Sequence, residues 1–80
     1  MGKYIELAKK LKAFYDQEKV RIDIRKRRII ELDENQKDFC KRSAISLGSL
    51  NKIEAAKPVS IGIIINVCSA NNLDYKKYLL

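Results

Sequence analysis

The chain has no histidine and no tryptophan, and it carries one proline, three glycines and two cysteines among 80 residues. Without histidine no Cys/His zinc finger forms, and no imidazole is available to activate a nucleophile or shuttle protons. Most enzyme classes fall away with it; no catalysis, no metal site and no cofactor is expected. The two thiols, Cys40 and Cys68, are placed like small core residues and not like catalytic cysteines. Long apolar runs are missing too: the most apolar stretch, IGIIINV, is far short of a membrane span, and no signal-peptide core comes after the start. A cytoplasmic protein with both thiols reduced, and no membrane partner, is the corresponding expectation.

What is present is a helix-rich composition, 46% hydrophobic and 8% aromatic, on a chain long enough for one small domain. Lysine and arginine outnumber aspartate and glutamate by 17 to 10, for a net charge of +7 and a pI near 9.6. An excess of that size favours a polyanionic partner, most often nucleic acid. Charge alone does not separate this from a basic solubilising surface.

Along the chain, Tyr4, Leu7, Ala8, Leu11, Phe14 and Tyr15 recur every three or four positions, opposite Lys3, Glu6, Lys9, Lys10 and Lys12. This predicts an additional amphipathic helix over 1–18, ahead of a domain over 19–80. Next, Val20, Ile22 and Ile24 alternate like a strand, yet Val20 with Ile24 and Ile22 with Ile29 keep helical spacing. A helix is the reading, because no second strand is evident to pair with a first.

Asn35 then caps a short helix from Gln36, with Asp38 three residues on; Phe39, Cys40 and Ser43 face inward. The chain turns at SAIS, Ser46 caps a helix to about Ala56, and Lys57 with Pro58 ends it. Ser60 caps a buried helix whose inward stripe is predicted as Ile61, Ile64, Ile65 and Cys68; Asp74 opens a last turn with Tyr75, Tyr78 and Leu79. On that helix Ile63 and Val67 are surplus apolar positions off the stripe, which marks them as a candidate interface.

Two helices crossing around a tight turn over 36–56 make a helix-turn-helix spacing. Here the sequence resembles the family of phage repressors, Cro proteins and Xre-like regulators, across residues 20–79. The resemblance rests on Gln36 at the head of the first motif helix, Ile53–Glu54, Pro58 with Ser60, and the closing LDYKKYL. There are departures: Ala44 stands where the turn usually has glycine, and Ala55 and Ala56 stand where Asn-Gly is common. An alanine at the turn predicts a conformation that does not require glycine.

The resemblance implies an all-α, compact, five- to six-helix lambda-repressor-like domain with the extra N-terminal helix. It implies a sequence-specific double-stranded-DNA-binding transcriptional regulator, most naturally a repressor, encoded by a bacterium, phage or plasmid. The regulator would act as a homodimer on a palindromic operator, with Ile63 and Val67 as the dimer contact. The reading helix is expected over about 46–55. Ser46, Leu47, Gly48, Ser49, Asn51 and Lys52 would face bases or nearby phosphates, and Gln36, Lys37, Arg42 and Lys57 the backbone. Glu54 is implied to be a structural acid paired with Arg28 or Arg25. A rival reading keeps the scaffold but gives it a protein-binding role, as an antitoxin or antirepressor adaptor that grips its partner through the N-terminal helix.

Overall fold

A computed structural model of the chain describes residues 15–80. Positions 1–14 of the helix expected over 1–18 lie outside the described residues. Within the described part the boundary moves: Asp16 is itself an N-cap, its carboxylate accepting from the Lys19 amide at 3.1 Å, so a new helix begins at Gln17. Tyr15, expected at the end of the N-terminal stripe, is instead a buried tie. Its hydroxyl donates to the Val59 carbonyl and accepts from the Val59 amide, both at 2.9 Å, and it pairs with Leu79 in an isolated bridge.

Every described element is helical. Helix α1, Gln17–Arg25, runs on into a π-helical turn, Lys26–Glu31; α2 is Gln36–Ser43, α3 Leu47–Glu54 and α4 Ile61–Ala70, and a 3-10 turn covers Tyr75–Tyr78. Among the described residues none of these is long and apolar enough to cross a membrane. The starts of α2, α3 and α4 are held by a short polar side chain that takes up an amide the helix cannot satisfy itself: Asn35 from Asp38, Ser46 from Ser49, Ser60 from Ile63.

The helix ends use the opposite device. Asp33, Ala44, Ala56 and Asn72 all have left-handed backbone, with φ of 47° or 56°, and none is glycine. At Ala56 the amides of Lys57 and Ala56 reach back to the Lys52 and Ile53 carbonyls, which closes α3 in the usual paired bonds of a left-handed cap. Ala44 therefore departs from expectation: the turn has the geometry that glycine adopts freely and an L-residue adopts at a cost of about 1–2 kcal/mol.

The core is one cluster joining the four α-helices and the 3-10 turn: Val20 and Ile24 of α1, Phe39 and Cys40 of α2, Leu50 and Ile53 of α3, Ile64, Val67 and Cys68 of α4, with Tyr15 and Tyr78; the π-helical turn adds no buried residue. Helix α4 is rotated from the stripe predicted for it. Ile64, Val67, Cys68 and Asn71 point inward, whereas Ile65 is exposed and Ile61 is only partly covered. Val67 is fully buried and Ile63 packs against the core, so the interface assigned to this pair from the sequence is withdrawn. In a run this apolar two adjacent stripes have equal helical periodicity, and the choice falls to Asn71, whose amide donates to Ser43 Oγ at 3.3 Å and the Val67 carbonyl at 2.7 Å.

Candidate nucleic-acid interface

Helices α2 and α3 are joined by Ala44, Ile45 and Ser46 alone, and the left-handed Ala44 sets the angle at which α3 departs. Ile45 tucks against the core, and Leu50 and Ile53 anchor the inner side of α3. The outer side is left to solvent: Leu47, Gly48, Asn51 and Lys52 are exposed and Ser49 is half-buried.

Four polar side chains from three elements lock this unit. Arg28 donates from Nε to Glu54 Oε2 at 2.8 Å and from Nη2 to Glu54 Oε1 at 2.9 Å, a two-pronged pair that is only 12% and 10% exposed. A third donor, Nη1, goes to the Glu34 carbonyl at 3.1 Å. The acid beside it raises the Arg28 guanidinium above its ordinary pKa, chiefly through these hydrogen bonds. Arg25, the other candidate for this pairing, is exposed on α1.

Gln36 adds the next link, donating from Nε2 to Glu54 Oε1 at 3.2 Å and to Asn51 Oδ1 at 3.3 Å. A carboxylate accepts only, so the nitrogen of Gln36 has to face it, and both amide hydrogens are then spent. Asn51, exposed on α3, keeps its NH₂ group and one lone pair on Oδ1. Those are the two functions that a bidentate adenine contact uses.

The remaining predicted residues divide. Lys37 and Lys57 are exposed and, among the described residues, form no ion pair; Lys41 shares the outer side of α2 one turn from Lys37, a placement that the motif does not single out although the i, i+4 spacing signals it. Ser46 spends its hydroxyl on the cap, accepting from the Ser49 amide at 3.1 Å and donating to Ser49 Oγ at 2.9 Å. Arg42 is not a free cation. It donates to Glu34 at 3.0 Å, to the Ala70 carbonyl at 2.7 Å and to Asn71 Oδ1 at 2.7 Å, and its guanidinium lies over the Phe39 ring. These bonds strap α2 to the end of α4 and withdraw Arg42 from the candidate interface.

Cys40 and Cys68 are unpaired and buried, and burial pushes both thiols up, Cys68 to about 11. A thiol in that state is a poor nucleophile.

Gly48 is one of two glycines that nothing internal demands; the other, Gly62, holds the same second position in α4, where an added Cβ would meet only Ser60 Oγ at 3.9 Å. A Cβ built at Gly48 meets only Ser46 Oγ, at 3.9 Å, an ordinary contact, and the backbone is helical. Glycine inside a helix costs about 0.5–1 kcal/mol relative to alanine. The fold gains nothing from it; its effect is to leave the α3 backbone bare on the exposed side. No family model matches the chain, and neither does any curated protein or solved structure.

Proposed function

We propose that the protein is a helix-turn-helix DNA-binding regulator, with the outer face of α3 as the reading surface in a lambda-repressor-like domain. The observation that carries the reading is the chain of bonds from Arg28 through Glu54 and Gln36 to Asn51. It spends both amide hydrogens of Gln36 and holds the free functions of Asn51 on an exposed helix face. Besides joining the helices, this arrangement holds ready a surface on which a partner can dock. Lys37, Lys41, Lys52 and Lys57 surround the face with charge that no ion pair among the described residues engages. The unneeded glycine at 48 lets a partner's backbone approach closely.

In this reading Asn51 and Lys52 contact base edges and Leu47 a thymine methyl, while Lys37, Lys41 and Lys57 contact phosphates. One domain of this size covers a half-site, and a homodimer on a palindromic operator is part of the proposal. Occupying the operator would bring about repression, and a cytoplasmic location goes with it.

Fluorescence anisotropy with random duplex, titrated with salt, is the first test. Six or so phosphate contacts make affinity fall by about three orders of magnitude between 50 and 200 mM salt; a flat response ends the DNA reading. On a selected site, Asn51→Ala or Lys52→Ala costs about 1–3 kcal/mol and relaxes sequence preference, whereas Lys57→Ala weakens all duplexes alike. Gly48→Ala separates fold from function: it raises stability by about 0.5–1 kcal/mol and weakens duplex binding. A Gly48→Ala protein that binds DNA as well as wild type removes the close approach from the proposal.

A further inference from the structure

The outward side of α1 and of the π-helical turn that continues it gathers three exposed isoleucines. Val20, Ile24 and Arg28 point inward, four residues apart. On the other side Ile22 and Arg25 of α1 and Lys26, Ile29 and Ile30 of the π-helical turn border one shallow depression of about 390 Å³ together with Arg21. The three isoleucines are 50%, 42% and 74% exposed. Burial of a whole isoleucine side chain is among the most favourable single steps available to an apolar surface, so a small folded domain that leaves three together on one helix face leaves a surface to be covered.

The charges on this face say what covers it. Arg21 is neutralised by Glu18 one turn away, but among the described residues no ion pair engages Arg25 or Lys26. A second copy brought face to face would set these cations against each other, and like charges across an interface oppose association. The chain's own residues 1–14 carry Lys3, Lys9, Lys10 and Lys12 against Glu6 alone, which is again the wrong sign. A bilayer is a poorer fit, because Arg25 and Lys26 line the same depression as the isoleucines, so inserting the apolar side chains brings both cations down with them. The occupant that satisfies both features has carboxylates interleaved with its own apolar side chains.

We propose that the outer face of α1 and its π-helical continuation, where Ile22, Ile29 and Ile30 share one depression with Arg25 and Lys26, is a docking surface for an acidic amphipathic helix of a partner protein. The partner's Glu or Asp residues pair with Arg25 and Lys26, while its Leu, Ile, Val or Met residues bury the isoleucines in the manner of one helix ridge packing beside another. This surface is separate from the outer face of α3 and does not depend on DNA binding.

The test is a selection with the full chain from a displayed library of amphipathic helices. Stripe positions vary among Leu, Ile, Val and Met, and the positions between them vary among Glu, Lys, Gln and Ser. The expected result is a set of saturable binders enriched in Glu and depleted in Lys between the apolar positions. Their affinity should fall about tenfold or more against Ile22→Ser/Ile30→Ser, whose melting temperature stays near that of wild type because both side chains are exposed. Against Arg25→Glu/Lys26→Glu the same library should yield Lys-enriched binders instead. Failure to recover binders, recovery without acidic enrichment, or binders indifferent to both variants overturns the proposal. So does adsorption to phosphatidylglycerol vesicles, or a concentration-dependent dimer, that Ile30→Ser abolishes, since either assigns the face to another occupant.

Discussion

Two arginines join helices in this molecule, and they do it differently. Arg28 ties the π-helical turn after α1 to α3 through a carboxylate almost closed to solvent, with both oxygens of Glu54 and both nitrogen prongs engaged. Arg42 ties α2 to α4 at the surface, 36% exposed, and relies on a backbone carbonyl and a buried amide as much as on its ion pair with Glu34. In the first joint charge is the substance of the link; in the second it is one strand of several. Water decides the contrast, because a pair cut off from solvent leaves a naked charge when one partner goes, and a solvated pair does not.

Removing the guanidinium from the first joint gives the largest expected effect. Arg28→Ala strands Glu54 in a nearly dry site and lowers stability by about 3 kcal/mol, measurable by urea unfolding. It should also blunt duplex binding on a selected site, since Gln36 loses the carboxylate geometry that positions it. Arg42→Ala costs less, about 1–1.5 kcal/mol. A double-mutant cycle sharpens the difference: Arg28 with Glu54 couples by more than about 2 kcal/mol, and Arg42 with Glu34 by less than about 1 kcal/mol. Equal coupling at the two sites would show that exposure does not govern them.

Between the joints lies the turn at Ala44. Ala44→Gly removes left-handed strain, less the entropy that a glycine adds to the unfolded chain, for a net gain of about 1 kcal/mol. A loss of stability would mean that the alanine methyl packs favourably enough to outweigh its backbone. The smallest effect concerns pH. Cys68, beside the second joint on α4, has its pKa raised from 9.0 to about 11 by burial. A raised folded-state pKa contributes stability that is whole below the unfolded value and is lost as pH climbs from about 9 through 11. The stability difference between wild type and Cys68→Ala should therefore shrink over that interval and stay constant below it.

How much of this is legible in the sequence depends on the range of the interaction. Helix starts at Asn35, Ser46 and Ser60 are written in one side chain that bonds three residues ahead, so they can be read directly. Glu54 and Arg28 meet as a pair across 26 positions; no local pattern signals that contact, and only the family resemblance suggests it. Arg42 reads wrongly for the same reason of range. Its partners Ala70 and Asn71 are 28 and 29 positions away, and a basic residue on a basic helix gives no local sign of being occupied. The stripe of α4 is misplaced because periodicity cannot choose between neighbouring faces of a helix that is apolar nearly all round. Asn71, a polar residue with a buried place to fill, makes the choice, and its role is visible only in three dimensions.

The π-helical turn at Lys26–Glu31 has its own consequence for how α1 and α3 are oriented. Its wider ring, closed by the Leu32 amide on the Arg27 carbonyl at 3.0 Å, holds one residue more than an α-helical turn would. That residue acts as a phase shifter. Dropping one position from 26–31 would restore the tighter winding and swing everything upstream by about 100° relative to the downstream helices. The direction in which α1 presents Ile22 and the direction in which Arg28 of the turn meets α3 are thus geared to each other through a single inserted amino acid.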